Sequence, residues 1–304
     1  MMIQLFQRAA ATSAILIVSC FICSTATAQP TELVSFDQYL EKKNTVAGGT
    51  PWVLEKFCPV STNIIARRVL ESYGAMFVAK DSVELPVSCV QKGEGQVLAF
   101  QKKIPRTPID VRGVRIDLQT AAAQALQQSI NEAEISGLTI SALDGPIAGG
   151  RSYGDTLMLW NSRVFPALAY WIRRGKLTSM DFDELAKLAL EKKVEKILEW
   201  ESKGIYFSTD RSRSILTSTA PPGTSQHLSL IAFDVVEYWN PQVRSILNRN
   251  GWFQTVVDDP PHFTYLGVAE SELPSRGLIA VLKNGHQYWI PNRSATIVTD
   301  SPTN

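Results

Sequence analysis

The stretch Pro222-Gly223-Thr224-Ser225-Gln226-His227-Leu228-Ser229-Leu230-Ile231-Ala232-Phe233-Asp234 decides how this chain of 304 residues is interpreted. It places a histidine and an aspartate seven positions apart behind a Pro-Gly turn. Residues an odd number apart on a regular strand point to opposite faces of the sheet, so His227 and Asp234 meet only if the backbone bends between them. We expect that bend near Leu230.

A second stretch, Asp258-Asp259-Pro260-Pro261-His262-Phe263-Thr264-Tyr265-Leu266-Gly267, contains another of the three histidines. Two imidazoles and one carboxylate are a common set of catalytic zinc ligands, because three protein ligands leave the fourth tetrahedral position open. The sequence therefore predicts that His227, Asp234 and His262 hold one Zn²⁺. The third histidine, His286, follows a turn signal between two apolar runs, which predicts an exposed strand residue.

The two stretches together resemble the VanY-type D-alanyl-D-alanine carboxypeptidases of the lysostaphin, D-Ala-D-Ala and hedgehog zinc-peptidase fold group. That family reads roughly Pro-Gly-x-Ser-x-His-x-x-Gly-x-Ala-x-Asp, then Glu-x-x-His, with an earlier Tyr-Arg-Ser. Upstream, this chain carries Gly150-Arg151-Ser152-Tyr153. It matches the main pattern at Pro222, Gly223, Ser225, His227, Ala232, Asp234 and His262.

The resemblance implies an α+β domain over residues 106–270, in which a small antiparallel sheet with flanking helices carries a single zinc site. It implies a zinc metallopeptidase that hydrolyses peptidoglycan stem peptides, most closely a D-Ala-D-Ala carboxypeptidase. Arg151 and Ser225 would bind the substrate, with the arginine on the terminal carboxylate. The other interpretation of Arg151 is an arginine at a helix start in water.

Two positions depart from the family pattern. Leu230 replaces the glycine of the bend, so we expect a turn that avoids the positive φ that glycine adopts at little cost. Asp259 replaces the general-base glutamate and reaches about 1.5 Å less far, and Asp258 is a second candidate for this catalytic role. The alternative function is therefore a catalytically silent binder of cell-wall peptide, and a third is a structural envelope protein with a coincidental motif.

The N-terminal sequence predicts that the protein is exported from the cytoplasm. Arg8 precedes the apolar stretch from Ala9 to Ile22, and Ala26-Thr27-Ala28 resembles a cleavage site, so residues 1–28 are predicted to be a signal peptide. The stretch is too short to be a membrane span. We expect a periplasmic or secreted protein with no membrane span in its mature chain, and the stretch Ile17-Val18-Ser19-Cys20 leaves a lipoprotein as the less favoured alternative.

The cysteine count predicts a disulfide, and the net charge limits the partners that we expect. Removal of the signal peptide leaves Cys58 and Cys89, and an even pair in an exported chain predicts a disulfide. The net charge of +1 gives no electrostatic reason to expect nucleic acid or an anionic membrane as a partner.

The rest of the chain is divided by its predicted helices and strands and by where the family resemblance ends. Residues 29–105 are interpreted as an N-terminal extension or small subdomain, and residues 271–304 as a C-terminal hairpin and tail. The helix predicted from Asp181 to Lys203 has an apolar face that either packs on the core or forms a lid. The other predicted helices are Ser61–Tyr73, Asp117–Ser136 and Asn240–Asn250, and the predicted strands are Leu138–Leu143, Trp252–Val257, Leu278–Leu282 and Gln287–Ile290.

Overall fold

The computed structural model describes residues 34–44 and 53–293, so the predicted signal peptide and the tail from residue 294 fall outside the described residues. The described part has the predicted α+β composition, with helices around three small antiparallel sheets. Its α-helices are α1 (Phe36–Asn44), α2 (Leu54–Phe57), α3 (Ile64–Tyr73), α4 (Gly93–Lys103), α5 (Thr120–Ile135), α6 (Tyr153–Arg173), α7 (Ser179–Lys187), α8 (Leu190–Ser202) and α9 (Pro241–Arg249). Its strands are β1 (Arg106–Val111), β2 (Val114–Gln119), β3 (Ala232–Asp234), β4 (Trp252–Gln254), β5 (His262–Tyr265), β6 (Leu278–Lys283) and β7 (His286–Pro291).

A three-stranded sheet carries the two histidine stretches. Its strand order is β3-β5-β4, all antiparallel, and every residue of the three strands is buried. Asp234 lies directly opposite His262 in the β3–β5 register. Directly opposed residues have Cβ atoms about 4.5–5.5 Å apart, so strand pairing alone brings this carboxylate and this imidazole together.

The main hydrophobic core crosses the predicted boundaries near residues 105 and 270. It joins Phe36 of α1 and Leu70 of α3 to Leu126 of α5, Phe233 of β3 and Leu278 of β6. The described residues all belong to one compact unit. The N-terminal segment is therefore packed against the sheet that carries the histidines.

Cys58 and Cys89 form the predicted disulfide. Two residues beyond it, the Gln91 backbone N–H donates to the Gly223 carbonyl at 2.8 Å. Gly223 has a φ of +87°, and a Cβ atom there would lie 2.0 Å from the Gln91 carbonyl oxygen. The Pro-Gly turn thus needs its glycine because the disulfide-linked segment lies directly against it.

Several predicted elements begin or end elsewhere; α3 begins at Ile64 rather than at Ser61, and β4 ends at Gln254 rather than at Val257. Asp117 lies inside β2 and does not cap α5, because the β1–β2 hairpin continues to Gln119 and the helix begins at Thr120. The segment Leu138–Leu143 is not a strand, and it pairs with the sheet only through a single bridge from Ala142.

The predicted helix from Asp181 to Lys203 is two helices, α7 and α8. Leu188 has extended backbone angles and breaks the helix. The break lets Leu185 of α7 and Ile197 of α8 pack into the same core cluster. The apolar face therefore packs on the core, as the first of its two interpretations predicts.

Candidate functional site

Three ligand atoms lie in a small buried triangle. His227 Nε2 lies 3.2 Å from His262 Nδ1 and 3.4 Å from Asp234 Oδ1, and the last two atoms are 3.2 Å apart. All three residues are buried. Tetrahedral ligands that are about 2.05 Å from a zinc ion are about 3.3 Å from one another. The triangle therefore has the dimensions of a tetrahedral zinc site.

A short 3-10 helix and a left-handed residue make the bend that joins His227 to Asp234. The 3-10 helix spans Gln226–Ser229, and the Ser225 hydroxyl caps it by accepting the His227 backbone N–H at 3.3 Å. Leu230 follows with φ 56° and ψ 33°. The bend falls where the sequence predicts it, but the expectation that Leu230 avoids positive φ is wrong.

The outer nitrogen of His227 is fixed by a backbone carbonyl. His227 Nδ1 lies 2.6 Å from the Gly149 oxygen, which only accepts, so Nδ1 carries the hydrogen and Nε2 is free to bind an ion. A Cβ atom on Gly149 would lie 2.9 Å from Ile116 Cβ, and one on Gly150 would lie 2.4 Å from Leu230 Cδ2. The two glycines thus let this loop approach β2 and the bend closely enough to reach His227.

The outer nitrogen of His262 meets a side chain that sequence analysis did not single out. His262 Nε2 lies 2.7 Å from Gln226 Oε1. Gln226 occupies an unspecified position of the Ser-x-His pattern, so the motif gives no signal for it. Only the tertiary packing of the 3-10 helix against β5 brings the two residues together.

Arg151 lies beside the triangle and directly before Ser152, the residue that caps α6. Its Nη2 is 2.5 Å from Asp234 Oδ2, and its Nε donates to the Ile147 carbonyl at 2.7 Å. The Arg151 side chain is only 13% exposed, so the interpretation as a helix-start arginine in water is wrong. Asp234 therefore divides its oxygens, with Oδ2 on the guanidinium and Oδ1 facing the histidines.

Burial and charge set the protonation of the triangle. Burial lowers the pKa of His227 to about 4, and the positive charge of Arg151 adds to this effect. Burial raises the pKa of Asp234, but the interactions with His227, His262 and Arg151 more than offset it and hold the pKa well below the usual value. At neutral pH the set offers a neutral imidazole and a carboxylate, the forms in which these groups bind metals.

Asp259 shares a narrow cleft with both histidines. The cleft is also lined by Arg151 and Ser225. Asp259 is half-buried, and burial raises its pKa to about 7, with the charge of Asp234 acting in the same direction.

Asp258, the alternative base, points elsewhere. Its side chain is 5% exposed, and its two oxygens face Lys283 Nζ at 2.6 Å and Arg213 Nη1 at 3.7 Å. Both oxygens of Asp258 are thus engaged by cations, and Asp258 is not among the residues that line the cleft. The geometry favours Asp259 over Asp258 as the base.

His286 lies on β7 of the predicted hairpin, away from the triangle. It is half-buried, with Nδ1 3.1 Å from Gln254 Nε2 and its ring 6.0 Å from the Tyr238 ring. The prediction of an exposed side chain is wrong because the hairpin packs over β4.

Across residues 34–44 and 53–293, none of the helices combines the length and the apolar character that crossing a membrane requires.

No protein-family model matches the chain, and no curated protein matches it either. Among solved structures, the vancomycin resistance D,D-pentapeptidase VanY of the VanB-type cassette, a point mutant in complex with Zn(II), aligns at 17% identity over 58% of this chain and 84% of that one, with a TM-score of 0.34. VanYB in complex with D-Alanine-D-Alanine aligns at the same identity and coverage, with a TM-score of 0.35.

A third solved structure is that of the LdcB LD-carboxypeptidase, which reveals the molecular basis of peptidoglycan recognition. It aligns at 14% identity over 54% of this chain and 66% of that one, with a TM-score of 0.29. Alignments of this strength do not assign chemistry to the chain. Its function has to be inferred from the residues of the site.

Proposed function

We propose that this protein is a zinc-dependent peptidase that hydrolyses peptidoglycan stem peptides, most closely a D-Ala-D-Ala carboxypeptidase. The observation that carries the proposal is the buried triangle of His227, Asp234 and His262 with the carboxylate of Asp259 in the same cleft. The substrate class is supported by the resemblance of the stretch from Pro222 to Asp234 to the VanY-type pattern.

The donor set fits zinc on its own chemistry. His227 Nε2, Asp234 Oδ1 and His262 Nδ1 are the nitrogen and oxygen ligands that zinc accepts, at mutual distances that suit a tetrahedron. A zinc ion held by these three residues would lower the pKa of a bound water molecule and polarise the scissile carbonyl.

Asp259 supplies the proton transfer in this proposal. Its carboxylate faces the cleft and is the group we expect to accept the proton of the attacking water and deliver it to the leaving amine. Asp258 holds the loop in place through Lys283 and takes no part in the transfer.

Arg151 and Ser225 are the proposed substrate contacts. Arg151 uses Nε and Nη2 within the protein, and among the described residues its Nη1 has no acceptor, so this group remains available for a terminal carboxylate. The Ser225 oxygen accepts the His227 backbone N–H, which leaves its hydroxyl hydrogen for a ligand.

We also propose that the protein acts outside the cytoplasm, in the periplasm or after secretion. The disulfide between Cys58 and Cys89 supports this compartment, because such bonds persist in oxidising surroundings. The predicted signal peptide is the matching feature of the sequence.

The test uses the mature protein and defined stem peptides. Zinc-loaded protein should release D-alanine from a pentapeptide stem, detected by mass, and a chelator should stop the release until zinc is returned. The double variant His227→Ala, His262→Ala serves as the control for contaminating peptidases. Zinc-loaded wild type that leaves every stem peptide intact would contradict the proposal.

One observation favours a second function. Asp259 is a methylene shorter than the glutamate of the family pattern, which is the feature expected of a catalytically silent binder of wall peptide. Calorimetric binding of the stem peptide without any product, together with peptidase activity gained by Asp259→Glu, would establish the silent binder.

A further inference from the structure

We propose that Gln226 is a positioning residue of the candidate metal site, which fixes the tautomer and the ring orientation of His262. The inference rests on the proposed function, because it concerns the same ligand set. It assigns a role to a side chain that lies outside the motif.

The orientation of the Gln226 amide is determined by its surroundings. Gln226 Nε2 donates to the backbone carbonyl of Tyr73 at 2.8 Å, and that oxygen is only an acceptor. Oε1 must therefore point the other way, where it meets His262 Nε2 at 2.7 Å and the Thr264 hydroxyl. The Thr255 hydroxyl lies 3.4 Å from the same oxygen.

The amide oxygen in turn determines where His262 carries its hydrogen. An amide oxygen has no hydrogen to donate, so His262 Nε2 has to be the donor. A neutral imidazole has one N–H group, and Nδ1 is then left with a lone pair directed at Asp234 Oδ1 and His227 Nε2.

Gln226 and Asp234 compete for this single hydrogen. Asp234 Oδ1 would accept it at His262 Nδ1 over 3.2 Å, and that tautomer has no lone pair on the nitrogen that faces the other ligands. The contact to Gln226 is shorter, at 2.7 Å. Gln226 thus holds His262 in the tautomer that binds a metal.

The support for Gln226 comes from a distant part of the chain. Gln226 is fully buried, and Tyr73, which holds its amide, is the last residue of α3. The Tyr73 hydroxyl is fixed in turn by the Leu216 carbonyl at 2.7 Å. The N-terminal segment therefore contributes to the site through the Tyr73 backbone.

The test compares two buried glutamines. Gln226→Met keeps the volume and removes the amide, and Gln119→Met is the matched control. Gln119 is equally buried and bonds the same 3-10 helix at the Ser229 carbonyl over 2.8 Å, without contact to a histidine. Competition with a chromophoric chelator measures the zinc affinity of each folded protein, and nitrogen NMR of the histidine rings measures the tautomer of His262 without metal.

We expect Gln226→Met to weaken zinc binding by about 10- to 100-fold, the usual effect of losing a group that orients a ligand, and to mix the two tautomers of His262. Gln119→Met should bind zinc like wild type.

Three results would overturn the role of Gln226. They are wild-type His262 protonated on Nδ1 without metal, unchanged zinc affinity in Gln226→Met, and an equal loss in Gln119→Met. The tautomer measurement needs no zinc, so it decides the role of Gln226 even if wild type binds no zinc and the proposed function fails.

Discussion

Replacing Leu230 tests how the bend between His227 and Asp234 is made. A leucine at φ 56° is strained by about 1–2 kcal/mol, and Leu230 is only 2% exposed. Leu230→Ala keeps the strain and removes a buried side chain, which costs about 2–5 kcal/mol. Leu230→Gly removes the same side chain but relieves the strain, while glycine gives back about 0.4–1 kcal/mol in the unfolded chain. We therefore expect both variants to be destabilised, with glycine the more stable of the two by about 0.5–1 kcal/mol.

Urea denaturation of the two variants and wild type, with the disulfide intact, measures this order. The control is Leu228, a fully buried neighbour in the 3-10 helix, which lacks positive φ. At Leu228 the order should reverse, because glycine is worse than alanine by about 0.5–1 kcal/mol in regular backbone. Leu230→Ala as stable as Leu230→Gly, or more stable, would refute the left-handed bend.

Three further predictions concern the ligands, the base and a buried carboxylate. The mature protein should bind about one zinc per chain by metal analysis; His262→Ala should lose it, and His286→Ala should keep it. Asp259→Asn should lower turnover by about 10²-fold or more at unchanged zinc content, whereas Asp258→Asn stays active; the reverse result would move the base by one residue. Burial raises the pKa of Glu201 despite hydrogen bonds from Ser214, Ile215 and Phe207, so its stabilising contribution is present at low pH and lost as the pH rises through the folded pKa. Glu201→Gln should therefore gain stability relative to wild type as the pH rises above the ordinary glutamate pKa of 4.5, measured by urea denaturation, and a difference that stays constant with pH would contradict this.

The bend between His227 and Asp234 could be predicted because it depends on residues that are close together in the sequence. The spacing of His227 and Asp234 requires a bend, and the turn residues place it. The pairing of Asp234 with His262 follows once both lie on antiparallel neighbours. The hairpin of β6 and β7 could likewise be predicted from its turn residues.

The surroundings of the candidate metal ligands could not be predicted in the same way. Gln226 reaches Tyr73 across 153 residues, and Arg151 reaches Asp234 across 83. Such contacts depend on how helices pack around the sheet. The spacing of apolar residues along a single helix or strand does not predict this packing. His286 is half-buried for the same reason, because its cover comes from Gln254 on another strand.

The charges of the site favour a substrate with a free carboxylate. Asp234 is paired with Arg151, so a zinc ion bound as proposed would leave the cleft positive even when Asp259 is ionised. A peptide that ends in a carboxylate gains a charge-assisted hydrogen bond there. The same peptide with a C-terminal amide lacks this bond, which is worth about 1.5–3 kcal/mol. We expect kcat/KM for the C-terminal amide to fall by about 10- to 100-fold, measured with paired synthetic stem peptides on wild-type protein. Equal hydrolysis of the two peptides would mean that the cleft accepts internal bonds, and the protein would then be an endopeptidase.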